Sequence, residues 1–183
     1  VNPYYNKSTQ QGLVDYYTYI AKETFLPIII YNVPSRTGMN MLPETILEIH
    51  KEASSVCAVK EASGDISQIT DLLSRKPDSF TVYSGNDDQT LPILSVGGKG
   101  VISVASNVIP AEMKSLTDAF LTGNVTKAQT INNQLIPLMK SLFIETNPSG
   151  ENTQCLVWDA AKIGYEGPLF PFQKQLKIGF EKN

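Results

Sequence analysis

Short aliphatic runs alternate along this chain with longer stretches whose apolar residues recur three or four positions apart, the pattern of strands followed by amphipathic helices. The runs predict strands over residues 1–5 (VNPYY), 27–33 (PIIIYNV), 56–61 (VCAVKE), 80–85 (FTVYSG) and 100–105 (GVISVA). The unalternated Ile, Val and Ala in the second and third runs point to a parallel sheet covered by helices on both faces. Between the strands, the helical period predicts helices over 9–21, 43–52, 66–74 and 88–96. Asp65 is placed to cap the third, and Pro43 followed by Glu44 suits the first turn of the second. After the fifth strand the pattern turns wholly helical, with candidates at 111–121, 126–143, 154–163 and 172–181. The order therefore predicts a βα unit over 1–108 and a helical extension over 109–183.

Equivalent strand ends, Tyr5, Tyr31, Lys60 and Gly85, are separated by 26, 29 and 25 residues, close to a regular βα repeat. A (β/α) barrel and a doubly wound sheet both fit. No Gly-x-Gly-x-x-Gly follows a strand, and Gly97, Gly98 and Gly100 precede one, which weighs against a dinucleotide fold. Five strands are three short of a closed barrel, so the chain reads as a barrel lacking its first strands, its inner face and edges completed by further chain or by a partner.

Composition narrows the function. The 183 residues are 42% hydrophobic and 18% charged, with 18 acidic against 15 basic side chains and a net charge of −3. No Lys/Arg cluster offers the footprint of nucleic-acid or anionic-membrane binding, and no apolar run is long enough to span a bilayer. The first residues carry no targeting pattern. Cys57 and Cys155, far apart in apolar surroundings, are expected to be reduced thiols, which fits a cytoplasmic setting. His50 is the only histidine; it reads as a helix-surface residue and leaves little basis for a metal site or a histidine-based triad.

In barrels and open parallel sheets alike, reactive groups project from the carboxyl ends of strands. There the sequence sets Tyr4 and Tyr5; Tyr31, Asn32, Ser35, Arg36 and Thr37; Lys60 and Glu61; Ser84 to Asp88; and Ser103, Ser106 and Asn107. Lys60 follows VCAV without a break, which sets an ammonium among apolar neighbours; desolvation lowers the pKa of such a group and exposes the neutral amine that attacks carbonyls. Pairing with a carboxylate is the alternative, although Glu61, adjacent on a strand, points to the other face. Tyr31 ends another apolar strand, either as a proton relay or as a core phenol. Arg36, in a loop with Pro34 and Gly38, can clamp a carboxylate bidentately or stand solvated. A nucleophilic amine, a proton relay and a carboxylate clamp together describe aldol chemistry on a keto acid.

The segments PYYN (3–6), YNVPSRTG (31–38), VKEASGD (59–65), SGND (84–87) and GGKGVISVASN (97–107) resemble the dihydrodipicolinate synthase family in order and spacing, across the C-terminal two-thirds of its polypeptide. The resemblance implies a TIM (β/α)8 barrel, of which about the last five strands are present, with a C-terminal helical extension and a homotetrameric assembly. It implies condensation of pyruvate with L-aspartate 4-semialdehyde in lysine and diaminopimelate synthesis, without metal or cofactor. It makes Lys60 the imine-forming lysine, Tyr31 the active-site phenol and Tyr5 the tyrosine that reaches a neighbouring subunit's site. Arg36 would receive the semialdehyde carboxylate, while Gly85 and Ile102 would line the keto-acid pocket. Other readings are a pyruvate aldolase of the N-acetylneuraminate lyase type, which usually lacks an arginine in that loop, and an inactive remnant. The family's Gly-Thr-Thr-Gly segment and most of its lysine-feedback residues belong to strands absent from this sequence. The stretch SGENTQCLVWDAA (149–161) departs from the family's Asn-Pro-Ile-Pro-Val-Lys.

Overall fold

A computed structural model describes residues 1–144. The chain divides into two compact units, Val1–Ser103 and Val104–Asn183. In the first, the elements run α1 (Gln10–Lys22), β1 (Ile28–Asn32), α2 (Pro34–Thr37), α3 (Pro43–Glu52), β2 (Val56–Glu61), α4 (Ile66–Arg75), β3 (Thr81–Ser84), a 3-10 turn (Asp87–Gln89) and α5 (Thr90–Ser95). In the second they are a 3-10 turn (Ala105–Asn107), α6 (Pro110–Leu121) and α7 (Val125–Ser141), with α6 packed on α7. The helix candidates at 154–163 and 172–181, Cys155 and the 149–161 stretch lie outside the described residues.

β1, β2 and β3 form a parallel sheet in chain order, each step made by a helical crossover. The helices start where local chemistry favours it. Thr9 Oγ1 accepts the Gly12 N–H at 3.1 Å to cap α1, and Asp65 Oδ1 accepts the Gln68 N–H at 3.0 Å to cap α4. Pro43, whose missing N–H costs nothing in a first turn, opens α3. Leu13, Val14 and Tyr17 of α1, Ile46 and Ile49 of α3, and Ile69 and Leu72 of α4 bury against Ile30, Val59, Val82 and Phe80 from the sheet side. Each such aliphatic side chain contributes about 1.5–3 kcal/mol when fully withdrawn from water.

This core covers one face of the sheet. Along β1, Ile30 and Asn32 are buried while Ile29 is 47% exposed and Tyr31 half-buried; β3 alternates in the same way. Among the described residues the face bearing Ile29, Tyr31, Lys60 and Tyr83 has no covering layer, as a barrel sector lacking its other strands leaves it. Among the described residues the strand count is corrected from five to three. Residues 1–5 join no ladder; Pro3 has no N–H to donate, and the segment is held instead by Asn2, buried beneath α1, whose Oδ1 accepts the Tyr17 hydroxyl at 3.1 Å. Residues 100–105 reach β3 through one parallel bridge, Ser84 to Val101, before the chain turns at Ala105–Asn107.

His50 is also more engaged than a surface residue. Its Nδ1 lies 2.7 Å from the Val56 carbonyl and its Nε2 3.0 Å from Ser79 Oγ, with the ring against Phe80. Cys57 is a half-buried free thiol. No helix among the described residues is long and apolar enough to cross a membrane.

Candidate active site

The parallel register pairs Tyr31 with Lys60 across β1 and β2, and Lys60 with Tyr83 across β2 and β3. Register partners in a parallel sheet share a face, so the lysine stands between two tyrosines at the carboxyl end of the sheet. Lys60 Nζ lies 4.3 Å from the centroid of the Tyr31 ring, within cation–π range. Lys60 itself is half-buried.

Arg36 follows directly from the end of β1. Pro34 begins the single turn α2, which Gly38 closes in a left-handed conformation at φ 65° with its N–H on the Pro34 carbonyl at 2.8 Å. This turn sets Arg36 exposed beside the strand end, where its field reaches both Lys60 and Tyr31. Burial holds the Lys60 ammonium below the usual lysine range; Asp87 opposes the shift and Arg36 adds to it. Burial pushes the Tyr31 phenol up, with Arg36 pulling the other way. Each shift favours the group's uncharged form, in which the amine can attack a carbonyl and the phenol can donate a proton.

Gly85 and Ile102 complete the rim. Gly85 N–H donates to the Glu61 carbonyl at 2.7 Å, and a Cβ at Gly85 would fall 2.7 Å from Ala62 Cβ, so only glycine lets the ends of β2 and β3 converge this closely. Ile102 N–H donates to the Ser84 carbonyl at 2.9 Å, and its side chain is 37% exposed. Tyr5 is 89% exposed, and among the described residues no hydrogen bond or ring contact joins it to Lys60, Tyr31 or Arg36. Ser106 and Asn107 belong to the second unit.

Residues 1–182 match the model of the dihydrodipicolinate synthetase family. The chain belongs to this family. It is 56% identical over 148 residues to the 4-hydroxy-tetrahydrodipicolinate synthase of Thermoanaerobacter sp. (strain X514), a match covering 81% of this chain and 50% of that one. Among solved structures, dihydrodipicolinate synthase from Aquifex aeolicus superposes with a TM-score of 0.82 at 42% identity, covering 91% of this chain and 56% of that one. The chloride-inhibited dihydrodipicolinate synthase from Acinetobacter baumannii, complexed with pyruvate, superposes with a TM-score of 0.81 at 32% identity, covering 96% and 60%. The chain thus spans about half the length of the curated relative it matches.

Within this dihydrodipicolinate synthetase family member, two features escaped sequence reasoning. Tyr83, between Val82 and Ser84, carries no local mark of lying beside Lys60; only the register of β2 on β3 brings it there. Asp87 stood among the polar residues after the fourth strand, but that it is buried and acts on Lys60 is a property of the 3-10 turn that carries it.

Proposed function

We propose that this chain is the imine-forming part of a 4-hydroxy-tetrahydrodipicolinate synthase, built as a sector of a (β/α)8 barrel. The observation that carries the reading is Lys60 Nζ, half-buried and 4.3 Å above the Tyr31 ring at the carboxyl end of β2. In the proposed reaction the neutral amine adds to the pyruvate ketone, and loss of water from the carbinolamine leaves an imine. Removal of a methyl proton gives an enamine, whose carbon bonds to the aldehyde carbon of L-aspartate 4-semialdehyde. The semialdehyde's own amine then displaces Lys60 and closes the ring, returning the lysine. Tyr31 serves as proton donor and acceptor in these steps, and Arg36 receives the semialdehyde carboxylate. Gly85 and Ile102 line the keto-acid end of the pocket.

The pyruvate bound by the Acinetobacter baumannii protein supports pyruvate as the keto acid. The exposure of Tyr5 suits a side chain that completes a neighbouring subunit's site, and a homotetramer is the proposed assembly. The proposed compartment is the cytoplasm, where a thiol such as Cys57 stays reduced. The test is pyruvate with borohydride, followed by peptide mass mapping. A reduced adduct is expected on the peptide carrying Lys60 and is expected to vanish in Lys60→Ala. An adduct elsewhere, or none in the folded chain, overturns the reading.

A further inference from the structure

The geometry that sets Lys60 over Tyr31 is pinned one position further along, on the opposite face of the sheet. There Asn32 and Glu61 are register partners, both 0% exposed. Asn32 Nδ2 donates to both Glu61 carboxylate oxygens at 3.1 Å, and the Ser63 N–H donates to Oε1 at 2.8 Å. Asn32 Oδ1 accepts the Met41 N–H at 3.0 Å, so the same amide holds the segment returning toward α3. The main chains join in: Ala62 N–H donates to the Asn32 carbonyl at 2.9 Å, and Gly85 N–H to the Glu61 carbonyl at 2.7 Å. Two residues therefore tie together the ends of all three strands.

Among the described residues no lysine or arginine forms an ion pair with Glu61. A buried carboxylate without a counter-ion is costly even when hydrogen-bonded, and an apolar pair would fill the same space at less cost. What the polar pair supplies, and an apolar pair would not, is directional bonding that fixes one strand against the next. We propose that Glu61 and Asn32 are positioning residues, holding β1 and β2 in the register that sets the Lys60 amine over the Tyr31 ring. The proposal rests on Lys60 as the reacting amine. Displacements well under a residue's length matter there, because reactivity falls steeply when attacking groups move by about 1 Å.

Two readouts separate this proposal from the reading it rests on. Competitive acetylation with trace acetic anhydride, mapped by mass spectrometry from about pH 6 to 11, reports Lys60 without pyruvate. Borohydride trapping with pyruvate reports imine formation. The groups bearing on Lys60 are Tyr31 of β1, Arg36 of α2, Tyr83 of β3 and Asp87 in the turn after β3, and the test variants leave all of them in place.

In Glu61→Leu and Asn32→Leu the acetylation midpoint of Lys60 is expected to rise toward that of an exposed lysine, and borohydride trapping to fall about tenfold as the amine loses its seat over the Tyr31 ring. Glu61→Gln, which keeps an acceptor for the Ser63 N–H, is expected to recover most of both. Leu72→Ala, a core deletion that removes none of the clamp's hydrogen bonds, is expected to change neither. The proposal is overturned if folded Asn32→Leu keeps the wild-type midpoint, if Leu72→Ala moves it as far, or if wild-type Lys60 acetylates like an exposed lysine. Should Glu61→Leu fail to fold, Asn32→Leu and Glu61→Gln still decide. A depressed wild-type midpoint, raised in the variants, without a pyruvate adduct sinks the imine reading and leaves the positioning role standing.

Discussion

Replacing Gly85 with alanine adds one methyl group where the ends of β2 and β3 converge. The new Cβ falls 2.7 Å from Ala62 Cβ and 3.0 Å from the Glu61 carbonyl oxygen, which already accepts the Gly85 N–H at 2.7 Å. Carbon atoms pack best at about 3.5–4.0 Å, so one strand end must retreat by roughly 1 Å. Neither obstacle is the tip of a flexible side chain that could swing aside. Overpacking of this kind costs about 1–3 kcal/mol. For a chain of this size, a loss of about 2 kcal/mol lowers the thermal midpoint by about 4–8 °C. The strand end that retreats carries Glu61 and, beside it, Lys60, so imine trapping should fall as well.

Gly97→Ala provides the contrast. Its φ of 110° makes alanine strained, while the added Cβ meets only Leu73 Cδ2 at 3.9 Å. It is expected to lose stability, about 1–2 kcal/mol by the left-handed penalty, with trapping intact. Circular dichroism melting and borohydride trapping on both variants make the measurement. A Gly85→Ala protein that melts within experimental error of the wild type, or that traps pyruvate as fast as Gly97→Ala, would contradict the close approach of β2 and β3.

Two further outcomes follow from the buried ionisable groups. Lys60 is held below its ordinary value of 10.5 by burial, so between its folded value and 10.5 the unfolded chain binds a proton the native chain has released, and stability rises with pH across that window. Lys60→Met is expected to flatten the rise; urea midpoints at the two ends of the window that shift equally in both proteins would contradict it. Burial pushes the Tyr17 phenol far above its ordinary range, with the neighbouring Tyr16 adding to the shift, while its hydroxyl donates to buried Asn2 Oδ1. Tyr17→Phe is expected to cost about 1–2 kcal/mol in denaturant unfolding and to remove one residue from the tyrosines that ionise only on alkaline unfolding; a full complement of late-ionising tyrosines would refute it.

Much of this architecture is legible in the order of residues, because helix and strand periodicity, caps and prolines act over a few positions. The predicted 43–52 helix and 56–61 strand coincide with α3 and β2, and Asp65 caps α4 as its position before Ile66 implies. Lys60 at the end of an apolar strand was visible for the same reason: the strand's run of Val, Cys, Ala and Val is local, and so is the charge that interrupts it. The 88–96 helix, by contrast, splits into a 3-10 turn and α5, and the short α2 around Arg36 has no sequence signature because one turn leaves no period to read.

What local chemistry could not determine is pairing. VNPYY has the composition of a strand, yet a strand exists only where a neighbour offers donors and acceptors, and none pairs with it among the described residues. The same holds for the site. Tyr31, Lys60 and Tyr83 lie far apart in the chain, and so do Asn32 and Glu61. A one-residue slip of β1 on β2 would send their side chains to opposite faces. Sequence determined which residues end the strands; the hydrogen-bonded register of the folded sheet decided which of them meet, because only packing in three dimensions ranks one alignment of two strands above the next.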